Sequence, residues 1–173
     1  TVYEEKNMSL TKDFRKALEA LDGMLFPDHP YGTQTVLGTQ EHLKNPSITN
    51  IKNYQKTYYV PNNMAICLSG DFDPDEMVAV IEKYFGQMQP NKDLPEITLT
   101  TSSVIESPAE KDVYGLDAEN VMIGWKYPGA KSEDALVAEV AASVLYNGSA
   151  GLIDLNINQQ QTVLEADGMS YSR

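Results

Sequence analysis

The stretch Met64-Ala-Ile-Cys-Leu-Ser-Gly-Asp-Phe-Asp-Pro-Asp-Glu-Met-Val-Ala-Val-Ile-Glu-Lys-Tyr-Phe-Gly86 changes hydrophobic rhythm halfway along. Met64 to Leu68 is an apolar run between turn signals, too short for a helix, and it reads as a buried strand. Asp73-Pro74 then opens a helix. Proline is tolerated in a first turn because its missing N–H would have no partner there, and the acidic residues lie beside the positive end of the helix dipole. Met77, Val78, Val80, Ile81, Tyr84 and Phe85 form one broad apolar face, and Gly86 ends the helix.

Upstream, Ile48, Ile51, Tyr54 and Tyr58 recur at helical intervals, and that helix stops before Pro61-Asn-Asn. Thr39 is the expected cap of a short helix, with His42 where a capping box would carry Glu or Gln. Thr11 is the expected cap of a longer one, bearing Phe14, Ala17, Leu18, Leu21 and Leu25 on its inner face. Pro27, Pro30 and Gly32 close it in a loop. Val2 to Ser9 reads as the end of a further helix.

Downstream, Gln87 to Pro95 has two prolines and no periodicity, as a linker would. Strand-like segments follow at 97–105, 110–114 and 120–127, the last with Val121, Ile123, Trp125 and Tyr127 alternating onto one face. Ser132 or Glu133 starts a helix with an apolar face of Leu136, Val137, Val140, Ala141, Val144 and Leu145, closed by Asn147-Gly148. Leu152 to Gln161 reads as another helix, and Asp167-Gly168 as the start of a last strand. Helix, strand, helix and glycine in succession predict helices packed on one face of a sheet. The expected fold class is α+β with a mainly antiparallel sheet.

Composition narrows the function. The chain is 42% hydrophobic and 22% charged, an ordinary globular balance. Its 13 Lys and Arg against 25 Asp and Glu give a net charge of −12, which repels phosphate backbones, so no nucleic-acid partner is expected. No apolar run approaches the roughly 20 residues of a membrane helix, and no basic leader precedes an apolar stretch, so no membrane span is expected. Cys67 lies in the apolar run and reads as a small buried hydrophobe, which leaves the compartment open.

An ordered series of short motifs runs along the chain: Glu4-Glu5, Phe26-Pro-Asp-His-Pro-Tyr-Gly32, Gly38-Thr-Gln-Glu-His-Leu43, Tyr58-Tyr-Val-Pro-Asn-Asn-Met64, Ser69-Gly-Asp71 and Lys83-Tyr-Phe-Gly86. This series resembles the pitrilysin/insulinase family of zinc metallopeptidases, the inverzincins, whose relatives include the mitochondrial processing peptidases. The resemblance covers essentially the whole chain and is to a bacterial-type member.

It implies a processing-peptidase-like fold, here incomplete. Residues 1–90 would be the C-terminal part of the first family domain, with the zinc-ligand helix, and residues 91–173 the start of the second. The abrupt opening at Thr1 reads as that of an excised fragment. It also implies a parent endopeptidase that hydrolyses peptides with a metal-activated water, two histidines and a general-base glutamate coming from an upstream His-x-x-Glu-His helix.

In that family a glutamate on a later helix is the third zinc ligand. With Thr11-Lys12-Asp13 setting the register, the matching position is Glu5. Glu4 then lies about 100° around the helix, as an orienting or a solvated group. A second acidic residue of the family, one to two turns earlier, falls before Thr1.

The chain's own histidines, His29 and His42, lack the spacing that would set two imidazoles on one helical face. His29 reads as a turn residue and His42 as structural. Tyr171 and Arg173 resemble a Tyr and an Arg that the family uses to hold substrate, but those lie in the second half of the complete protein, so neither is taken as a site. No catalytic or other cofactor-binding residue is expected here. Zinc belongs to the intact parent, and neither bound metal nor activity is expected of this chain alone. The partners implied are peptide substrates and the remainder of the polypeptide, and the unpaired edges and uncovered apolar faces of an incomplete fold lead to the expectation of a homo-oligomer. The alternative is a non-catalytic scaffold or binding subunit of the same fold.

Overall fold

The computed structural model describes residues 1–98 and 101–171. Seven α-helices are present among them: α1 Val2–Leu10, α2 Asp13–Leu25, α3 Pro30–Thr33, α4 Gln40–Lys44, α5 Ile48–Tyr58, α6 Pro74–Phe85 and α7 Glu133–Leu145. A 3-10 turn spans Pro61–Asn63 and a π-helical turn spans Asp154–Asn158. The chain divides into two compact units. The first comprises Thr1–Val104 with Glu110–Ala118, and the second Ile105–Ala109 with Glu119–Arg173.

Local chemistry sets the helix boundaries in the first unit. Asp73 caps α6 by accepting the N–H groups of Asp75 at 2.9 Å and Glu76 at 3.0 Å through Oδ1. The Thr39 hydroxyl accepts from His42 N–H at 3.2 Å to cap α4, and Ser47 caps α5 by accepting from Asn50 N–H at 3.2 Å. Thr11 departs from expectation, because it closes α1 instead of opening α2. Its hydroxyl donates to the Met8 carbonyl at 2.7 Å, and α2 begins two residues later. After α6 the chain is pinned back to α5: Asn91 N–H donates to Asn62 Oδ1 at 3.0 Å, and Asn91 Nδ2 donates to the Thr57 carbonyl at 3.1 Å.

The motif from Phe26 to Gly32 folds α3 tightly onto the end of α2. A Cβ at Gly32 would overlap the Phe26 carbonyl and lie 2.6 Å from that of Asp22, so only glycine permits the approach. Phe26 and Tyr31 meet edge to face, 5.6 Å between ring centroids.

In the second unit, the Asp154 carboxylate closes the loop after α7, accepting N–H groups from Asn147 at 3.2 Å and Gly151 at 2.9 Å. The expected helix from Leu152 to Gln161 is shorter and wider than anticipated, passing into the π-helical turn and ending before Gln161, whose φ is 53°. Asn158 then exchanges two hydrogen bonds with Ala166, at 2.7 and 2.9 Å.

The expected α+β fold is overturned: no strand and no antiparallel sheet occurs among the described residues. Met64–Leu68, 110–114, 120–127 and 167–171 all lack strand pairing, as do the described parts of 97–105, while Leu99, Thr100, Ser172 and Arg173 lie outside the described residues. A helix satisfies its N–H groups four residues away, whereas a strand needs a second strand alongside. Between 110–114 and 120–127, where a hairpin connection would fall, the N–H groups of Leu116 and Asp117 are taken by the Asp13 carboxylate. The alternation survives only as exposure: Val121, Ile123, Trp125 and Tyr127 are exposed, and the residues between them are half-buried.

Burial is sparse and mostly polar. Among the described residues Val60, 8% exposed, is the one buried hydrophobic side chain, beside the charged Lys6 at 5%, Asp13 at 8% and Asp154 at 6%. The apolar faces expected to be covered on α6 and α7 are largely open, with Val78, Tyr84, Leu136, Val137 and Val140 exposed. Cys67 is exposed too, which corrects its reading as a buried hydrophobe, since Met64–Leu68 lies in no sheet that would cover it. The total accessible surface is 14814 Å². A folded monomer of this mass exposes about 8400 Å².

Candidate functional site

Helix α1 has little apolar patterning, yet one side of it is held from three directions. Lys6 Nζ lies 2.8 Å from Glu19 Oε1 on α2 and donates to the Thr35 hydroxyl at 3.4 Å. Asn7 Oδ1 accepts from Gln40 Nε2 on α4 at 2.6 Å. The Lys44 ammonium, also on α4, sits 5.5 Å from the centroid of the Tyr3 ring, within cation–π range. Tyr3, Lys6, Asn7 and Leu10 are the buried or half-buried positions of this face, spaced as one side of a helix requires.

Glu5 stands about 200° around the helix from Tyr3, on the opposite side. It is exposed, and its carboxylate has no hydrogen-bond or ion-pair partner among the described residues. Exposed Val2 and Met8 flank it at three residues to either side. Glu4 is exposed as well, but Asn7 Nδ2 donates to its Oε2 at 3.4 Å. The two adjacent carboxylates thus differ: Glu4 is tied to its own helix and Glu5 is free.

His29 acts as a turn residue. Its Nδ1 accepts from Tyr31 N–H at 3.2 Å, capping α3, and its ring packs 4.4 Å from that of Tyr31. His42 is exposed on α4. Tyr171 is exposed, and Arg173 lies outside the described residues. Among the described residues no group of three or more His, Cys, Asp and Glu is placed to hold a metal ion. No described helix is long and apolar enough to cross a membrane.

Two carboxylates gather more partners than the sequence suggested. Asp13 pairs with Lys16 at 2.8 Å, accepts from Asp117 N–H at 2.7 Å and also from Leu116 N–H. The Lys16 ammonium first, and then the Asp117 N–H, hold its carboxyl below the usual aspartate range. Asp28 accepts from the Ser102 hydroxyl at 2.9 Å and from Ser103 N–H at 3.0 Å, and the Ser102 bond is the main cause of its lowered pKa. The partners lie 74 to 104 residues away, beyond the reach of any local pattern.

Residues 47–172 match the family described as "Peptidase M16 inactive domain". The chain belongs to the peptidase M16 family. An uncharacterized zinc protease of Mycobacterium leprae is 30% identical to this M16 chain over 152 residues, which is 86% of the chain and 32% of the relative. Zinc protease PqqE of Helicobacter pylori is 25% identical over 130 residues, 70% of the chain and 28% of the relative. A probable mitochondrial-processing peptidase subunit beta of Schizosaccharomyces pombe is 31% identical over 71 residues, 41% of the chain and 15% of the relative. The M16 chain spans about a third of the length of the mycobacterial relatives it matches. No solved structure matches it.

The relatives named zinc proteases make zinc the metal against which the M16 chain is to be tested. Zinc takes imidazole, thiolate and carboxylate ligands, and a catalytic site uses three from the protein. A partner-free glutamate suits such a set as one oxygen donor. Among the described residues Glu5 belongs to no group of three such ligands. Helix α1, with Glu5, precedes the span matched to the inactive domain.

Proposed function

We propose that this chain is part of a zinc endopeptidase of the M16 family and contributes one metal ligand, Glu5. In this reading residues 1–90 complete the first domain of the enzyme and residues 91–173 begin the second. The observation that carries it is the unpartnered Glu5 carboxylate, turned away from the face by which α1 is anchored, in a chain whose relatives are named zinc proteases. When bound, zinc supplies Lewis acidity and makes water nucleophilic at neutral pH, the chemistry that peptide hydrolysis needs. The chain's own residues prepare one donor. Tyr3, Lys6 and Asn7 anchor α1, Asn7 retains Glu4, and Glu5 is left to bind.

Two matched substitutions in the full-length protein test this. Glu5→Gln keeps the size of the side chain and removes its charge, so metal content and peptide cleavage should both be lost. Glu4→Gln should have a smaller effect on each. The reverse ranking, by metal analysis and peptide cleavage on the purified variants, would overturn the assignment.

A second reading, a non-catalytic scaffold or binding subunit, is favoured by the matched family's description as an inactive domain. Under it the full-length protein would cleave no peptide, and Glu5→Gln would change nothing measurable.

A further inference from the structure

We infer that Lys6 is a positioning residue that sets the rotation of α1 and thereby selects Glu5, and not Glu4, as the carboxylate presented. The inference rests on the reading of Glu5 as a metal ligand.

Lys6 is 5% exposed, more buried than any apolar side chain among the described residues. Removing an ammonium from water is unfavourable unless it is paired and hydrogen-bonded. Glu19 and the Thr35 hydroxyl meet that need at 2.8 and 3.4 Å, one from α2 and one from the turn that follows α3. The Thr35 hydroxyl donates onward to the Gly38 carbonyl at 3.0 Å, which fixes the acceptor in place.

The link between α1 and α2 is only Thr11 and Lys12, too short to let the helices part, so the facing of α1 is decided by its side-chain contacts, of which the Lys6–Glu19 pair is the buried one. Apolar contacts tolerate sliding because they lack direction. A buried charged hydrogen bond does not, and fixing register is the best-attested role of such pairs. One residue step turns a helix by about 100°, so a turn of that size would lift Lys6 off Glu19 and bring Glu4 to the direction that Glu5 holds. The adjacent carboxylates are chemically alike, and the Lys6–Glu19 pair distinguishes them.

The experiment uses the full-length protein, zinc as ligand in competition with a chromophoric chelator, and cobalt(II) as a spectroscopic substitute. Lys6→Met keeps the length and removes the charge, and Glu19→Gln removes the charge of its partner on a half-exposed position. Loss of a group that hydrogen-bonds a metal ligand from outside typically weakens binding by about 10- to 100-fold, and Lys6, which acts on Glu5 through the helix and not by contact, is expected at the lower end of that range. Each variant should weaken binding to that extent, should alter the visible cobalt spectrum, and in the metal-free protein should speed hydrogen exchange of α1 amides while leaving those of α2 slow. Lys6→Arg should restore most of the affinity.

A double-mutant cycle supplies the sharpest readout. Glu4→Gln, weak by itself, should cost further affinity in the Lys6→Met background, because a loosened α1 lets Glu4 substitute. Wild-type affinity and cobalt spectrum in a folded Lys6→Met or Glu19→Gln protein would overturn the positioning role. Retention of zinc by Glu5→Gln would instead sink the ligand assignment, whatever the Lys6 variants do.

Discussion

At Asp13 one carboxylate meets an ammonium from its own helix and two N–H groups from a distant loop. A Cβ on Gly115 would overlap that carboxylate, so glycine is required at the approach. Gly115→Ala should therefore free the loop, and amide hydrogen exchange at Leu116 and Asp117 should rise while α2 stays protected. The pH dependence has a definite sign. Because the folded-state pKa of Asp13 is depressed, its contribution to stability is complete above the unfolded value of about 3.9 and is lost as pH falls through the lower folded value. Amide shifts of Leu116 and Asp117 should stay flat from neutral pH down to about 4 and move only below it. Asp13→Asn should abolish that transition. None of this was legible beforehand, since nothing near Asp13 in sequence names Gly115, Leu116 or Asp117 as its partners. Glu5, by contrast, stands out only through the family resemblance and the register it sets, and what the structure adds is the difference between a free Glu5 and a tethered Glu4.

Helices were legible where their information is local. Asp73-Pro74, Thr39 and the Ile48–Tyr58 repeat each encode a boundary within a turn or two, and α6, α4 and α5 begin as expected. Asp73→Ala should destabilise the first unit by about 1 kcal/mol, read from denaturant unfolding followed by circular dichroism, with Asp73→Asn close to wild type. Thr11 misled because a threonine between two helices can serve either neighbour, and its hydroxyl went back to Met8. Strands were not legible from alternation, because a period of two states only which way side chains point and supplies no partner for the backbone. Val121 to Tyr127 keeps the period without the ladder.

Over the whole chain, apolar faces on α6 and α7 stay open, and the surface is roughly 1.75 times that of a folded monomer of this mass. Patches of this kind promote association. Purified alone, the chain should bind a hydrophobic dye and give light-scattering masses that rise with concentration. A clean monomer at high concentration, with no dye binding, would count against that expectation. Charge works in the other direction: at −12 the copies repel, so association should strengthen with added salt.

The long reach of the two aspartate clamps has a kinetic consequence. Lys6 finds Glu19 across 13 residues and the helices close within one turn, whereas Asp28 must find Ser102 across 74 residues and Asp13 must find Leu116 across 103. Contacts of small sequence separation form early, and distant ones wait on a slower search. Helical ellipticity should therefore recover in refolding before protection appears at Leu116 and Ser103, and Asp13→Asn should leave the first phase untouched while removing the second at Leu116. The carboxylates that fasten the loops would be the last parts of the first unit to know where they belong.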